Sequence, residues 1–176
     1  MTQITQKKVK YSVFLTRWGY LGLAGTENVL EGTFLPSPNP QTIEKLILTN
    51  FPNADRKTSL FEPLHKRIKA YFKAQTYDFS DISVDLEQFT SFQRAVLSAC
   101  RTVTFGNTIT YAGLAKKIGR HLAARAVGNA LAANPLPLII PCHRVICADG
   151  RIGKFSAPGG TKMKQKLLNL EKTRIV

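Results

Sequence analysis

The sequence predicts an α+β protein in two parts: a small antiparallel sheet with attendant helices, followed by a mostly helical part that contains a helix-turn-helix. Three observations carry this. Residues 9–35 hold short β-branched and aromatic runs punctuated by glycine. Beyond residue 40 the apolar residues recur at helical spacing. Charge also divides the chain, with 11 Lys/Arg against 9 Asp/Glu in residues 1–89 and 14 against 2 in residues 90–176. The parts are placed at residues 1–88, ending in a linker, and residues 89–176.

In order, strands are expected at residues 9–16, 20–24 and 29–35, making an antiparallel meander. Pro36, Pro38 and Pro40 mark a loop, and Pro40 suits the first turn of a helix whose face is Ile43, Leu46, Ile47 and Phe51. A second helix over residues 59–75 carries the stripe Leu60, Phe61, Leu64, Ile68, Tyr71 and Phe72. Nothing in this half reads as chemistry, and His65 and Trp18 read as structural. Residues 77–89 are acidic and irregular, a linker with room for one strand.

Thr90-Ser91-Phe92-Gln93 has the form of a capping box opening a helix over residues 91–102, which buries Phe92, Val96, Leu97 and Cys100. Thr110 caps a helix over residues 111–118 that Gly119 stops. A second helix follows at 122–133, and the pair describes a helix-turn-helix. The second helix is rich in Ala and Gly. Val127 and Leu131 point one way, Arg125 and Asn129 the other, with Gly128 and Ala132 beside them. A face so stripped of side chains suits close approach to a narrow groove, with one long cation able to enter a base stack. Leu138-Ile139-Ile140 reads as a short buried strand that Pro141 ends. A glycine-rich loop spans residues 149–160, and a last helix 161–172 aligns Met163, Leu167 and Glu171 on one face.

With 176 residues and net charge +14, the chain can bury real cores and is expected to face a polyanion, nucleic acid before an anionic membrane. No apolar run reaches the roughly 18 residues of a membrane span, and residues 1–8 lack the apolar core of a signal peptide. A soluble, cytoplasmic protein is expected. Cys100, Cys142 and Cys147 are odd in number and read as free thiols in a reducing compartment.

Cys142, His143 and Glu171 supply a nucleophile, a base and a carboxylate to orient the base. On an extended strand adjacent residues face opposite ways, so direct Cys142–His143 contact requires a turn at Pro141, and a water relay is the alternative. A zinc site on Cys142, His143 and Cys147 has poor spacing and lacks a fourth ligand.

Pro141-Cys142-His143-Arg144-Val145 resembles the active-site signature of the O6-alkylguanine-DNA alkyltransferases, the methylated-DNA–protein-cysteine methyltransferases. Similarity extends through Phe92-Gln93-Arg94-Ala95-Val96, Thr110-Tyr111-Ala112-Gly113-Leu114-Ala115, Ala124-Arg125-Ala126-Val127-Gly128-Asn129-Ala130 and Asn134-Pro135-Leu136-Pro137. The resemblance implies a ribonuclease H-like N-terminal part and a winged helix-turn-helix-like C-terminal part. It implies single-turnover transfer of an alkyl group from O6-alkylguanine, with O4-alkylthymine left open, to Cys142 in duplex DNA. The helix bearing Arg125 and Gly128 would enter the minor groove, and Arg125 would replace the extruded base. Tyr111 would press the target phosphate, and Asn134 would support the hinge before the nucleophile. Leu131 and Phe155 would wall the base pocket, the Ser156 N–H would reach the guanine oxygen, and Val145 would join the base-binding set. No cofactor or metal is expected. A monomer is expected, with cooperative assembly on DNA left open. Phe155 stands where members often have tyrosine, and Ala157-Pro158 looks like a two-residue insert. A DNA-binding regulator without transfer, or a cysteine hydrolase, are the competing readings.

Overall fold

The computed structural model describes residues 8–172, so the N-terminal stretch read for a leader lies, but for Lys8, outside the described residues. The meander forms as the alternation predicts. β1 (Lys10–Thr16), β2 (Gly19–Gly25) and β3 (Leu30–Ser37) pair antiparallel, β1 and β2 in register from Lys10↔Gly25 to Thr16↔Gly19. A fourth strand, β4 (Asp55–Arg56), adds parallel to β1 and completes the order β3-β2-β1-β4. The pattern does not predict it, because two exposed charged residues show no alternation; backbone bonds to Val9 and Tyr11 and side-chain pairs to Lys8 and Glu44 place them.

The two faces of the sheet are covered differently. α1 (Pro40–Asn50), capped by the Asn39 carboxamide, sets Ile43 and Ile47 against Tyr11 and Ala24. On the other face Phe14, Leu21 and Leu23 meet Leu64, Ile68, Tyr71 and Phe72. α2 (Glu62–Tyr71) is shorter than predicted at both ends. Phe61 and Ala74 take left-handed backbone angles, φ 58° and 62°, which an α-helix cannot continue through. His65 and Trp18 are structural: His65 stacks on Phe14 and meets the Ser12 hydroxyl at 2.9 Å, while Trp18 packs on Phe72 beneath Lys166.

The linker over 77–89 is irregular but strapped down. Leu30 N–H donates to Ser83 O, and Asp85 N–H to Leu30 O, forming a single bridge at Val84. Arg67 binds Asp81, and Arg101 donates to the carbonyls of Phe79, Ser80 and Ile82.

The capping box is realised at α3 (Ser91–Arg101): the Thr90 hydroxyl accepts from Gln93 N–H and the Gln93 carboxamide from Thr90 N–H. α4 (Tyr111–Lys117) starts from Thr110, whose hydroxyl accepts from Gly113 N–H. α5 (Ala124–Ala132) begins two residues later than predicted, because Arg120 to Ala123 form a turn without a side-chain cap. Leu114 and Ala115 of α4 share one apolar core with Val127, Ala130 and Leu131 of α5, so the predicted helix-turn-helix is present. The same core continues into Phe14, Leu64 and Tyr71 of the first half. β5 (Ile109–Thr110) and β6 (Val145–Ile146) form a short parallel ladder, and α6 (Gly160–Lys172) closes the chain. Among the described residues, no helix is long and apolar enough to cross a membrane.

The expected strand over 138–140 is corrected to a buried turn. Pro137 and Ile140 form one isolated bridge around Leu138, which sits at φ 79°. Pro135, Pro137 and Pro141 lack the N–H that a ladder needs, and Ile140 N–H bonds back to Leu136 O at 2.8 Å.

Candidate active site

That turn delivers the sulfur. Asn134 closes it from inside: its carbonyl accepts from Leu136 N–H at 3.0 Å, and its amide donates to Ile140 O at 2.9 Å and to Cys142 Sγ at 3.1 Å. From outside, Thr33 of β3 donates its N–H to Pro135 O at 3.0 Å and its hydroxyl to Pro137 O at 2.6 Å. The chain then makes one 3₁₀ turn, Cys142–Arg144. The extended geometry expected for Cys142 and His143 is therefore replaced by a turn at Pro141, yet among the described residues no hydrogen bond joins the two side chains. Asn134, not His143, is the hydrogen-bond partner of the sulfur. Burial pushes the Cys142 thiol up, against the Asn134 amide, the Lys164 charge and nearby backbone N–H groups, which favour thiolate. At rest the sulfur carries its proton.

A neutral imidazole is buried behind it. His143 is fully buried, and burial lowers its pKa more than Glu171 raises it, so it is neutral at pH 7. Its Nε2 lies 2.7 Å from Glu171 Oε1. A carboxylate only accepts, so Nε2 carries the proton and the Nδ1 lone pair is free; Nδ1 has no hydrogen-bond partner among the described residues. Glu171 is held ionised by a ring of donors. Arg144 reaches it through Nε (2.9 Å to Oε2) and Nη2 (2.9 Å to Oε1), Gly106 N–H at 3.1 Å and Tyr71 OH at 2.6 Å. Against desolvation, the hydrogen bonds of His143 and Arg144 hold its carboxyl well below the usual range. Glu171 thus fixes the imidazole without competing for its proton.

On α6 the buried face runs Lys164, Leu167, Leu168, Glu171. Lys164 is fully buried, donating to Val145 O at 2.6 Å and reaching Tyr111 OH and Lys154 O at 3.4 Å. It ties α4, β6 and the 147–156 loop together, and as an ammonium it favours the Cys142 thiolate. In Lys164→Met, iodoacetamide should modify Cys142 about 10-fold more slowly at neutral pH, one pKa unit of lost thiolate. Peptide mass spectrometry measures this; an unchanged rate refutes the electrostatic role.

In front of the sulfur a cleft of about 950 Å³ opens between α5 and the 147–156 loop. Tyr111, Leu131 and Phe155 give it apolar walls, Cys142 and Ser156 line it, and Arg125, Arg151 and Lys154 make its rim cationic. Two glycines border it against Tyr111. Gly128 faces the Tyr111 ring, and a Cβ there would only touch it, at 3.8 Å. Gly153, at φ 72°, leaves room for Tyr111 OH, which would stand 2.8 Å from a Cβ there. Exposed Arg125, Asn129 and Ala132 face the cleft mouth, as the helical pattern predicts.

Of the residues singled out in the sequence, Tyr111, Arg125, Gly128, Leu131, Cys142, Phe155 and Ser156 meet in this cleft. His143 and Glu171 lie buried behind it and Asn134 beside the sulfur. Val145 is in the core, its side chain outside the cleft lining and its carbonyl taken by Lys164. Ala157 and Pro158 line a smaller neighbouring cleft of about 250 Å³ that shares Cys142. Sequence reasoning missed Arg144, Lys164, Tyr71 and Thr33. The spacing of Leu167, Leu168 and Glu171 at three, four and seven residues after Lys164 was the available signal for the lysine; Thr33 and Tyr71 gave none, because one sits in a strand and the other in an apolar stripe.

A family model described as the 6-O-methylguanine DNA methyltransferase, DNA binding domain, matches residues 91–173. The methylated-DNA–protein-cysteine methyltransferase of Metallosphaera sedula is 35% identical over 148 residues, covering 80% of this chain and 91% of its own. That of Cricetulus griseus is 36% identical over 170 residues, covering 92% and 81%. Among solved structures, Mycobacterium tuberculosis OGT in complex with DNA superposes with a TM-score of 0.78 at 34% identity, over 94% of both chains.

Proposed function

The chain belongs to the methylated-DNA–protein-cysteine methyltransferase family, and on that premise we propose that it repairs O6-alkylguanine in duplex DNA by moving the alkyl carbon onto Cys142. The observation that carries this is the position of one sulfur, in a cleft roomy enough for a purine, between a small-residue helix bearing Arg125 and a buried imidazole–carboxylate pair.

The minor groove is read by α5, whose exposed face is small enough for close approach, while Arg125 fills the gap left by the extruded nucleotide. Tyr111 presses the target phosphate and, with Leu131 and Phe155, encloses the base. The Ser156 N–H meets the guanine oxygen. A water between Cys142 and the free Nδ1 of His143 passes the thiol proton to the imidazole, and the charged imidazole is stabilised by Glu171. The thiolate forms a C–S bond as the C–O6 bond breaks. Guanine leaves with the electron pair and recovers the proton, so thiol plus alkylguanine gives thioether plus guanine. A thioether offers no good leaving group, so each molecule acts once. The place of work is wherever chromosomal DNA lies, the cytoplasm on the nucleoid or, in a eukaryote, the nucleus.

The test is intact mass after incubation with a duplex holding one O6-methylguanine. The protein gains one methyl group and the DNA loses it; binding without mass gain identifies a lesion sensor instead. Arg125→Ala is expected to slow repair of the duplex about 10-fold or more, a loss of roughly 1.4 kcal/mol of flipping support. The rate on free O6-benzylguanine base, which needs no flipping, stays unchanged. Equal losses on both substrates refute the role assigned to Arg125.

A further inference from the structure

Resting on the alkyl-transfer reading, we propose that Tyr71, contributed by the N-terminal half, is a positioning residue that acts through Glu171 to set the basicity of His143. The observation is geometric. Glu171 Oε1 takes donors from three residues at once: Tyr71 OH at 2.6 Å, His143 Nε2 at 2.7 Å, and Arg144 through Nη2 at 2.9 Å and Nε at 3.2 Å. Tyr71 OH also stands 3.5 Å from His143 Nε2, flanking the imidazole–carboxylate bond itself. Among the described residues, the other donors to this carboxylate, His143, Arg144 and Gly106, all come from beyond the linker; Tyr71 comes from α2.

Its placement is rigid. The ring is fully buried and wedged edge-on against Phe72 (5.3 Å) and Phe105 (5.6 Å), with Phe79 at 6.2 Å. Phe105 in turn carries the Arg144 guanidinium 5.9 Å above its centre. The phenol therefore has little freedom to leave the carboxylate. Burial and the adjacent Glu171 charge push its own ionisation well up, so it is a neutral donor at every working pH.

The chemical consequence concerns how the charge on Oε1 is shared. A carboxylate oxygen that also accepts from a phenol and a guanidinium offers less negative charge to the imidazole. An imidazole with too strong an anion beside it stays protonated near neutral pH and cannot receive the thiol proton. Tyr71 keeps His143 in the receptive range. The charged and titratable groups around the pair are Arg144 on the same turn, Lys164 and Glu171 on α6, Tyr71 on α2, Cys142, and the Cys100 thiol of α3 near Cys142.

The experiment is the methyl-transfer rate from pH 5 to 9 for the wild type, Tyr71→Phe and Phe79→Leu. Tyr71→Phe removes one hydroxyl; His143 becomes more basic, and the acid limb moves up by about half a pH unit, roughly 3-fold slower at pH values well below the limb's midpoint. The alkaline plateau stays within about 2-fold. Phe79→Leu loosens the same aromatic cluster without touching the carboxylate, lowering Tm and leaving the limb in place. Site-specific fluorotyrosine at position 71, isosteric and a stronger donor, moves the limb down and answers the question even if Tyr71→Phe folds poorly. Superimposed limbs, or an equal displacement in Phe79→Leu, overturn the proposal. A wild type that gains no methyl group overturns the alkyl-transfer reading instead, and that is seen before any variant is made.

Discussion

Exchange of Cys142 for serine is expected to abolish mass gain from O6-methylguanine DNA while leaving duplex binding within about 2-fold of wild type at the same salt concentration. The substitution changes one atom and no charge. Asn134 can donate to a serine oxygen as it does to Sγ, so the turn over 135–141 keeps its closure. What is lost is a thiol whose ionisation lies within reach of a neutral imidazole; a hydroxyl ionises many units higher, and nothing around position 142 replaces that difference. Intact mass spectrometry and fluorescence anisotropy measure the two halves of this result. A methyl group still gained by the variant puts the acceptor elsewhere, with half-buried Cys147 on the same cleft the first place to look.

The sequence made the proposed nucleophile legible because chemistry there is local: proline, cysteine and histidine are adjacent, and Glu171 betrayed itself as a carboxylate on an apolar helix face. The helix-turn-helix was equally legible, since Thr110, Gly119 and the alanine-rich face each answer to a rule about helix ends or packing. The 138–140 segment misled for a physical reason. A run of Leu and Ile reads as a strand by composition, but three prolines and a left-handed Leu138 deny it a partner. Most hidden was the contribution of the first half. Tyr71 reads as one more apolar residue on α2, and its 2.6 Å bond to Glu171 exists only through tertiary contact across 100 positions.

Glu171→Gln is the second large effect. The carboxylate serves Arg144, which is buried and also donates to Val103 O at 2.5 Å. Neutralising one partner leaves a buried guanidinium uncompensated, and about 3–5 kcal/mol of stability is lost at pH 7. The transfer rate falls by roughly 10²-fold or more, because a carboxamide can turn its N–H₂ toward the imidazole and hold the wrong tautomer. The pH dependence has a definite sign. The folded pKa of Glu171 is depressed, so its stabilisation is fully present above the unfolded carboxylate value of about 4.3. It is lost as pH falls from there through the much lower folded value. Urea unfolding at pH 7, 5, 4 and 3 is expected to show wild-type stability dropping across the last steps, with a shallower drop in Glu171→Gln. Parallel curves refute the assignment of the acid response to this carboxylate.

The left-handed Leu138 remains, and it is a strained choice for a residue with a branched side chain. Asn134 on one side and Thr33 on the other hold it there before any DNA arrives. An ordinary catalyst can waste encounters, since the next one comes free. A molecule spent by its own success has a single shot, and a loop that arrives already aimed spares it a search at the only moment when searching would matter.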